Sequence, residues 1–240
     1  MSIMSDTQAT PTGLLAEPLL VAMDLRRRFG PTVALDGASI QVTAGEVVAV
    51  MGPSGSGKST LLHCLAGILR PDGGEVHYRG SRLDTLSEDV RSRLRRDDFG
   101  FVFQFGQLVP ELSALENVTL PLRLGGVTRR EAERRGREWL GRLEVADVAG
   151  KRPGEISGGQ GQRVAVARAL ITGPRVVFAD EPTGSLDSLN GELVMTLLVD
   201  TARQQGATVV LVTHEPRVAA YAEREVVVRD GRCVAPVQAR

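Results

Sequence analysis

Residues 46–60 read EVVAVMGPSGSGKST, and their order decides the fold. The run 46–51 is short and apolar, as in a strand buried on both faces. Glycine follows at once, in the pattern GxxxxGK[ST]. From Ser59 onward the stretch STLLHCLAGIL places apolar residues at helical spacing. It stops at the breaker cluster Arg70-Pro71-Asp72-Gly73-Gly74. A strand therefore feeds a glycine-rich turn and then a helix.

The turn comprises Gly52, Pro53, Ser54, Gly55, Ser56, Gly57, Lys58, Ser59 and Thr60. Its glycines let successive backbone amides point inward at phosphate oxygens, helped by the positive end of the following helix. Lys58 is positioned to reach β and γ phosphates, and Ser59 offers a hydroxyl to Mg²⁺, which takes oxygen ligands. Composition singles out the same lysine. Of 29 basic residues only Lys58 and Lys151 are lysine, and the rest are arginine. A compact ammonium fits between two phosphates where a planar guanidinium does not. Lys151, beside Arg152 and ahead of Pro153 and Gly154, reads as a solvated loop charge.

Outward from this unit, 19–25, 38–42, 74–78, 99–103, 176–179, 207–212 and 225–229 read as strands, and 87–95, 157–170 and 189–205 as helices. Residues 112–152 form a charged helical stretch, with Thr128 and Glu131 spaced as a capping box. Strands alternating with helices predict an α/β fold with a mostly parallel, doubly wound sheet. The strand in RVVFADEP ends on Asp180 and Glu181, at the ligand edge of such a sheet. There Asp180 can hold Mg²⁺, and Glu181 can orient and deprotonate a water.

Several classes are excluded by composition. The 240 residues carry 29 Lys plus Arg against 29 Asp plus Glu, so no basic surplus points to nucleic acid. A hydrophobic content of 42% is too high for a disordered chain. Cys64 and Cys233 are far apart, with no metal-ligand spacing, which favours a reduced, cytoplasmic protein. Residues 1–18 read as a loose polar tail, neither signal peptide nor anchor. No apolar run approaches the roughly 18–20 residues that cross a bilayer, so work at a membrane requires another chain to span it.

The string Ile156-Ser157-Gly158-Gly159-Gln160, continued by GQRVAVARAL, resembles the LSGGQ signature of ATP-binding-cassette (ABC) transporter ATPases. The other motifs of that family follow in order. Gln104 in FVFQ resembles the Q-loop glutamine, which touches Mg²⁺ or the attacking water. Ser185-Leu186-Asp187 resembles the D-loop at the dimer interface, and His214 in LVTHE the switch histidine that contacts the γ phosphate. Phe29 stands where an aromatic stacks on adenine. Ile156 for the usual leucine, Gly161 for a longer polar residue and Phe29 for tyrosine depart from the pattern, but none removes a phosphate-contacting group.

The resemblance covers about 19–231 and implies a P-loop NTPase core, an antiparallel β subdomain and an inserted helical subdomain at about 87–170, with 232–240 as a C-terminal tail. It implies ATP and Mg²⁺ as cofactors, and catalytic roles for Glu181, His214 and Gln104. Ser157, Gly158, Gly159 and Gln160 would bind ATP held by a second copy of the chain. The wording LVPELSALENVTLPL and ADEPTGSLDS is similar to the branch that releases lipoproteins, exports macrolides or resists antimicrobial peptides. Its members power a separate transmembrane permease from the cytoplasmic face of the membrane. A cell-division or other non-transport ABC complex is the alternative. His63, Cys64 and Trp139 read as core, the arginines of 129–142 as a solvated face, and His77 has no assigned role.

Overall fold

A computed structural model describes residues 18–234. All of the expected N-terminal tail except Pro18 lies outside the described residues. In chain order the elements are β1 (Pro18–Phe29), β2 (Thr32–Thr43), β3 (Val47–Met51), α1 (Lys58–Leu65), β4 (Gly73–Tyr78), β5 (Ser81–Arg82), α2 (Glu88–Asp97), β6 (Phe99–Phe103), α3 (Ala114–Leu124), α4 (Arg129–Arg142), α5 (Gly158–Leu170), β7 (Val176–Asp180), α6 (Ser188–Gln204), β8 (Thr208–Val212), α7 (Pro216–Ala219), β9 (Arg224–Arg229) and β10 (Arg232–Val234).

Six strands form one sheet in the order β10-β9-β3-β8-β7-β6. Five run parallel, and β10 pairs antiparallel with β9 at one edge. Side chains alternate between two cores. Val47, Val177, Ala179, Val209 and Leu211 face one core, shared with α3 to α6. Val48, Val50, Val176, Phe178, Val210 and Val212 face the other, shared with α1 and the second sheet. Burial on both faces is why these strands are continuous apolar runs in the sequence.

The second sheet is antiparallel, in the order β2-β1-β4-β5. The segments 19–25 and 38–42 are parts of one hairpin of two twelve-residue strands. Its inward residues Leu20, Leu25, Leu35, Ile40 and Val42 pack over Leu61, Leu62 and Leu65 of α1. The helix after the glycine-rich turn is thus held between two sheets. The α/β core with an antiparallel β subdomain and a helical insert is the fold expected from the sequence.

In the insert, α3 and α4 approach closely at Gly136. A Cβ there would lie 2.5 Å from Thr119 Cγ2 and 2.7 Å from Leu115 Cδ1. Trp139 is buried in this subdomain, while Arg134 pairs with Glu131 and Glu138 on the outer face. The expected capping box of α4 does not form. Thr128 is the N-cap, but its side chain makes no cap hydrogen bond and Glu131 is taken by Arg134, a stronger charged partner. Capping boxes form instead at Ser113/Glu116 on α3 and Ser157/Gln160 on α5.

The boundary read at 231 also needs correction. Residues 232–234 form β10, and the hairpin turn before it supports the glycine-rich loop. Gly231 N–H donates to Ser56 O at 3.0 Å, and Asp36 N–H donates to Gly231 O at 2.9 Å. Arg232 pairs with Asp36 at 2.6 Å. Residues 235–240 lie outside the described residues.

Candidate active site

The loop at 52–57 is shaped by its glycines. At Gly57 (φ 104°) a Cβ would lie 2.2 Å from Ala34 O, and at Gly52 (φ 149°) one would lie 2.2 Å from Val228 O. No side chain fits either position, because β2 and β9 press against the loop from behind. Lys58, only 7% exposed, donates from Nζ to the carbonyls of Gly52 and Pro53, both at 2.9 Å. The ammonium is thereby pinned across the loop mouth without a carboxylate partner among the described residues, its charge left for an anion. Ser56 is buried behind the loop, and its hydroxyl has no hydrogen-bond partner.

A cleft of about 640 Å³ opens over the loop. It is lined by Thr32, Val33, Ala34, Pro53, Ser54, Gly55, Gly57, Lys58, Ser59, Thr60, Gln104, Glu181 and His214. Four of the parallel strands or their following turns meet here, because β3, β6, β7 and β8 all end at this edge. Asp180 closes β7, and its Oδ1 accepts from Ser59 Oγ at 3.0 Å. Glu181 follows with φ 47°, a left-handed conformation that costs a non-glycine residue roughly 1–3 kcal/mol. Its N–H donates to Val212 O, which bends the chain off the strand. Glu181 Oε1 lies 2.8 Å from His214 Nδ1, and Oε2 is buried without a donor. Gln104, just past β6, reaches the cleft with its amide against Gly184.

Other expected site residues are not brought into this cleft by the single chain. Ser157 N-caps α5, its Oγ accepting from Gln160 N–H at 3.2 Å and Gln160 Oε1 accepting from Ser157 N–H at 3.0 Å. Gly158 approaches Leu186 and Gly159 packs on Asn190, so this helix end adjoins the 185–190 segment. Within that segment Leu186 packs on the core, and Asp187 N-caps α6 by accepting from Asn190 N–H. Phe29 ends β1, 47% exposed, with the Arg27 guanidinium 5.0 Å over its ring. It does not line the cleft, but Thr32, its register partner, does.

Three residues of the cleft wall, Thr32, Val33 and Ala34, were not legible beforehand. They follow the Gly30-Pro31 turn, and only the folding of the hairpin over α1 brings them to the loop. Glu215, next to His214, lines a neighbouring pocket instead. One ligand atom each from Glu181, His214 and Glu215 lies within 4.8 Å of the others. His77, without a role in the sequence, contacts Glu75 at 2.9 Å. Burial pushes the Cys64 thiol up to about 12, consistent with core packing. His63, half-buried, is lowered by desolvation.

Residues 35–184 match the ABC transporter family. The lipoprotein-releasing system ATP-binding protein LolD of Paramagnetospirillum magneticum is 48% identical over 201 residues, 83% of this chain and 88% of that protein. The macrolide export ATP-binding/permease protein MacB of Nitrosomonas europaea is 46% identical over 223 residues, 91% of this chain but 34% of MacB. The chain therefore spans most of its LolD relative and about a third of its MacB relative. Among solved structures, a dimeric ATP-binding cassette in a post-hydrolysis state with ADP and Pi superposes with a TM-score of 0.83 at 39% identity, covering 90% of this chain and 97% of that one. With the family matched over more than half its length, and with the loop, the strand-end acids and the signature helix in one fold, the chain belongs to the ATP-binding-cassette transporter family.

Proposed function

We propose that this chain binds and hydrolyses ATP as the motor subunit of a membrane transporter, driving a separate permease of the lipoprotein-releasing or macrolide-exporting kind. The observation that carries the reading is the convergence of the phosphate loop, Gln104, Glu181 and His214 on one cleft. Transport is preferred to a cell-division role because the relatives named above are transport proteins.

The loop amides and Lys58 hold the β and γ phosphates, and Phe29 with the adjoining hairpin receives the adenine. Ser59 and Asp180 present oxygens 3.0 Å apart, a donor pair suited to Mg²⁺, and Gln104 adds an amide oxygen in the same cleft. Bound Mg²⁺ would neutralise charge on the phosphates. Glu181 orients the attacking water and accepts its proton, and its unpartnered buried oxygen is the acceptor available for that proton. His214 holds the other carboxylate oxygen and is 60% exposed, which leaves its ring free to reach the γ phosphate. Catalysis on this reading is positioning and charge stabilisation, with little covalent chemistry.

A second copy completes each site by presenting the N-terminus of its own α5, with Ser157, Gly158, Gly159 and Gln160, and by crossing at Ser185, Leu186 and Asp187. The helix N-terminus and its capping serine suit an anion there. Among the described residues no helix is long and apolar enough to cross a membrane. Attachment to the cytoplasmic face through the permease fits that arrangement.

The test is release of inorganic phosphate from ATP by the full chain, alone and with co-purified permease. Lys58→Arg is expected to lower release at least tenfold, since the guanidinium does not fit between phosphates. Absence of release by the wild type with excess Mg²⁺ and bound permease would sink the reading.

A further inference from the structure

Gln104 is followed by three consecutive left-handed residues, Phe105 (φ 62°), Gly106 (φ 67°) and Gln107 (φ 43°). Two of them carry side chains that disfavour this conformation, so the loop needs support from outside itself. Only one bond within the loop helps, from Gly106 N–H to Phe103 O at 3.0 Å. Phe105 is 73% exposed and supplies no packing.

The support comes from α5. Gln162, 1% exposed, donates from Nε2 to Phe103 O at 3.0 Å, immediately before Gln104. Arg168 donates from Nη2 to Gly106 O at 2.7 Å and from Nη1 to Gln107 O at 2.9 Å, immediately after it. Gly106 packs between these anchors, where a Cβ would lie 3.3 Å from Gly161 O and 3.5 Å from Ala165 Cβ. Residues 161, 162, 165 and 168 fall at the spacing of one helical stripe, so a single face of α5 holds the whole loop. Arg168 forms no ion pair among the described residues, although burial pushes its pKa down. A desolvated guanidinium spent on two loop carbonyls is costly unless those carbonyls must be held.

We infer that Gln162 and Arg168 are positioning residues for Gln104. They clamp the backbone on either side of it to the helix that begins at Ser157. The inference rests on the reading of Gln104 as part of the ATPase site.

The test is a double-mutant cycle in the full chain. Arg168→Ala is expected to lower kcat about tenfold, as loss of positioning does, with KM for ATP within about twofold. In a Gln104→Ala background the same substitution is expected to change kcat less than about twofold, since nothing remains to position. Arg168→Lys, which keeps the charge but has one nitrogen where the guanidinium uses two, is expected to fall between. Gln162→Met, similar in shape but without the donor, is expected to reproduce the kcat loss should Arg168→Ala not fold. Hydrogen exchange at the Gly106 amide supplies a readout independent of turnover, and it is expected to quicken in both variants with the sheet unchanged. An equal loss in both backgrounds, or unaltered kcat and unaltered Gly106 exchange, overturns the clamp alone. Full hydrolysis by Gln104→Ala overturns the reading of Gln104 and the clamp with it.

Discussion

At Glu181 the backbone and the side chain make the same point. The residue holds a left-handed φ of 47° that glycine would adopt more easily, one carboxylate oxygen is engaged by His214, and the other is buried without a donor. An unsatisfied buried acceptor costs roughly 1–3 kcal/mol, and strain of similar size is added by the backbone. Neither feature favours stability, and both fit the role of base proposed for Glu181. Glu181→Gln keeps the shape and the contact to His214 but loses the base. Phosphate release is expected to fall at least 100-fold, the lower range for general-base loss, while ATP binding measured by equilibrium titration stays within a few-fold of wild type. Substantial turnover by this variant would remove Glu181 from the role of base. The adjacent acids Asp180 and Glu181 were visible in the sequence. Their division of labour was not, because it depends on Ser59 and His214 arriving from elements 121 and 33 residues away.

Among the elements, two contacts can be tested on their own. α3 and α4 meet at Gly136, where even a single carbon would sit 2.5–2.7 Å from Thr119 and Leu115. Gly136→Val overpacks that crossing, and a loss of about 1–3 kcal/mol is expected. In a chain of this size that is a drop of several degrees in Tm by calorimetry. An unchanged Tm would mean that the two helices separate freely. The second contact ties β4 to β5 through Asp84. Its carboxylate accepts from Val76 N–H at 2.9 Å and from Arg82. Burial raises the Asp84 pKa, but the Arg82 hydrogen bond and the Val76 amide outweigh it and hold the carboxyl below its usual value of 3.8. A carboxylate depressed in the folded state stabilises fully above the unfolded pKa, and that stabilisation is lost as pH falls through the folded pKa. Asp84→Asn is expected to cost about 1–2 kcal/mol at pH 7 by urea unfolding. The difference from wild type should shrink as pH falls below 3.8 and through the lowered folded value, and a pH-independent difference would refute the electrostatic account. Thr128 shows why such contacts resist sequence reading. Its spacing to Glu131 satisfied the capping pattern, yet Arg134 at i+3 from that glutamate captured it.

For the whole molecule, the central question is what completes the cleft. The N-terminus of α5 is absent from the cleft lining of its own chain, and two of the solved relatives are dimers. A mixed dimer carrying Ser157→Arg in one copy is expected to lose hydrolysis at only the facing site, retaining about half the activity when the sites act independently. Labelling each site with a distinguishable nucleotide analogue reads this directly, and equal loss at both sites would count against the trans arrangement. The sequence by itself determined the order strand, glycine-rich loop, helix, because local spacing and the steric freedom of glycine suffice to specify it. It also determined the family, and it singled out Lys58 as the lysine of the glycine-rich loop. Tertiary structure alone decided which strands build the antiparallel subdomain, in the order β2-β1-β4-β5, and that it packs over α1. It decided that residues 228–232 support the loop from behind, and that Gln162 and Arg168 hold the segment around Gln104. The physical reason is that backbone carbonyls accept hydrogen bonds from any donor the fold brings near. Contacts between segments some sixty residues apart therefore leave no periodicity to read.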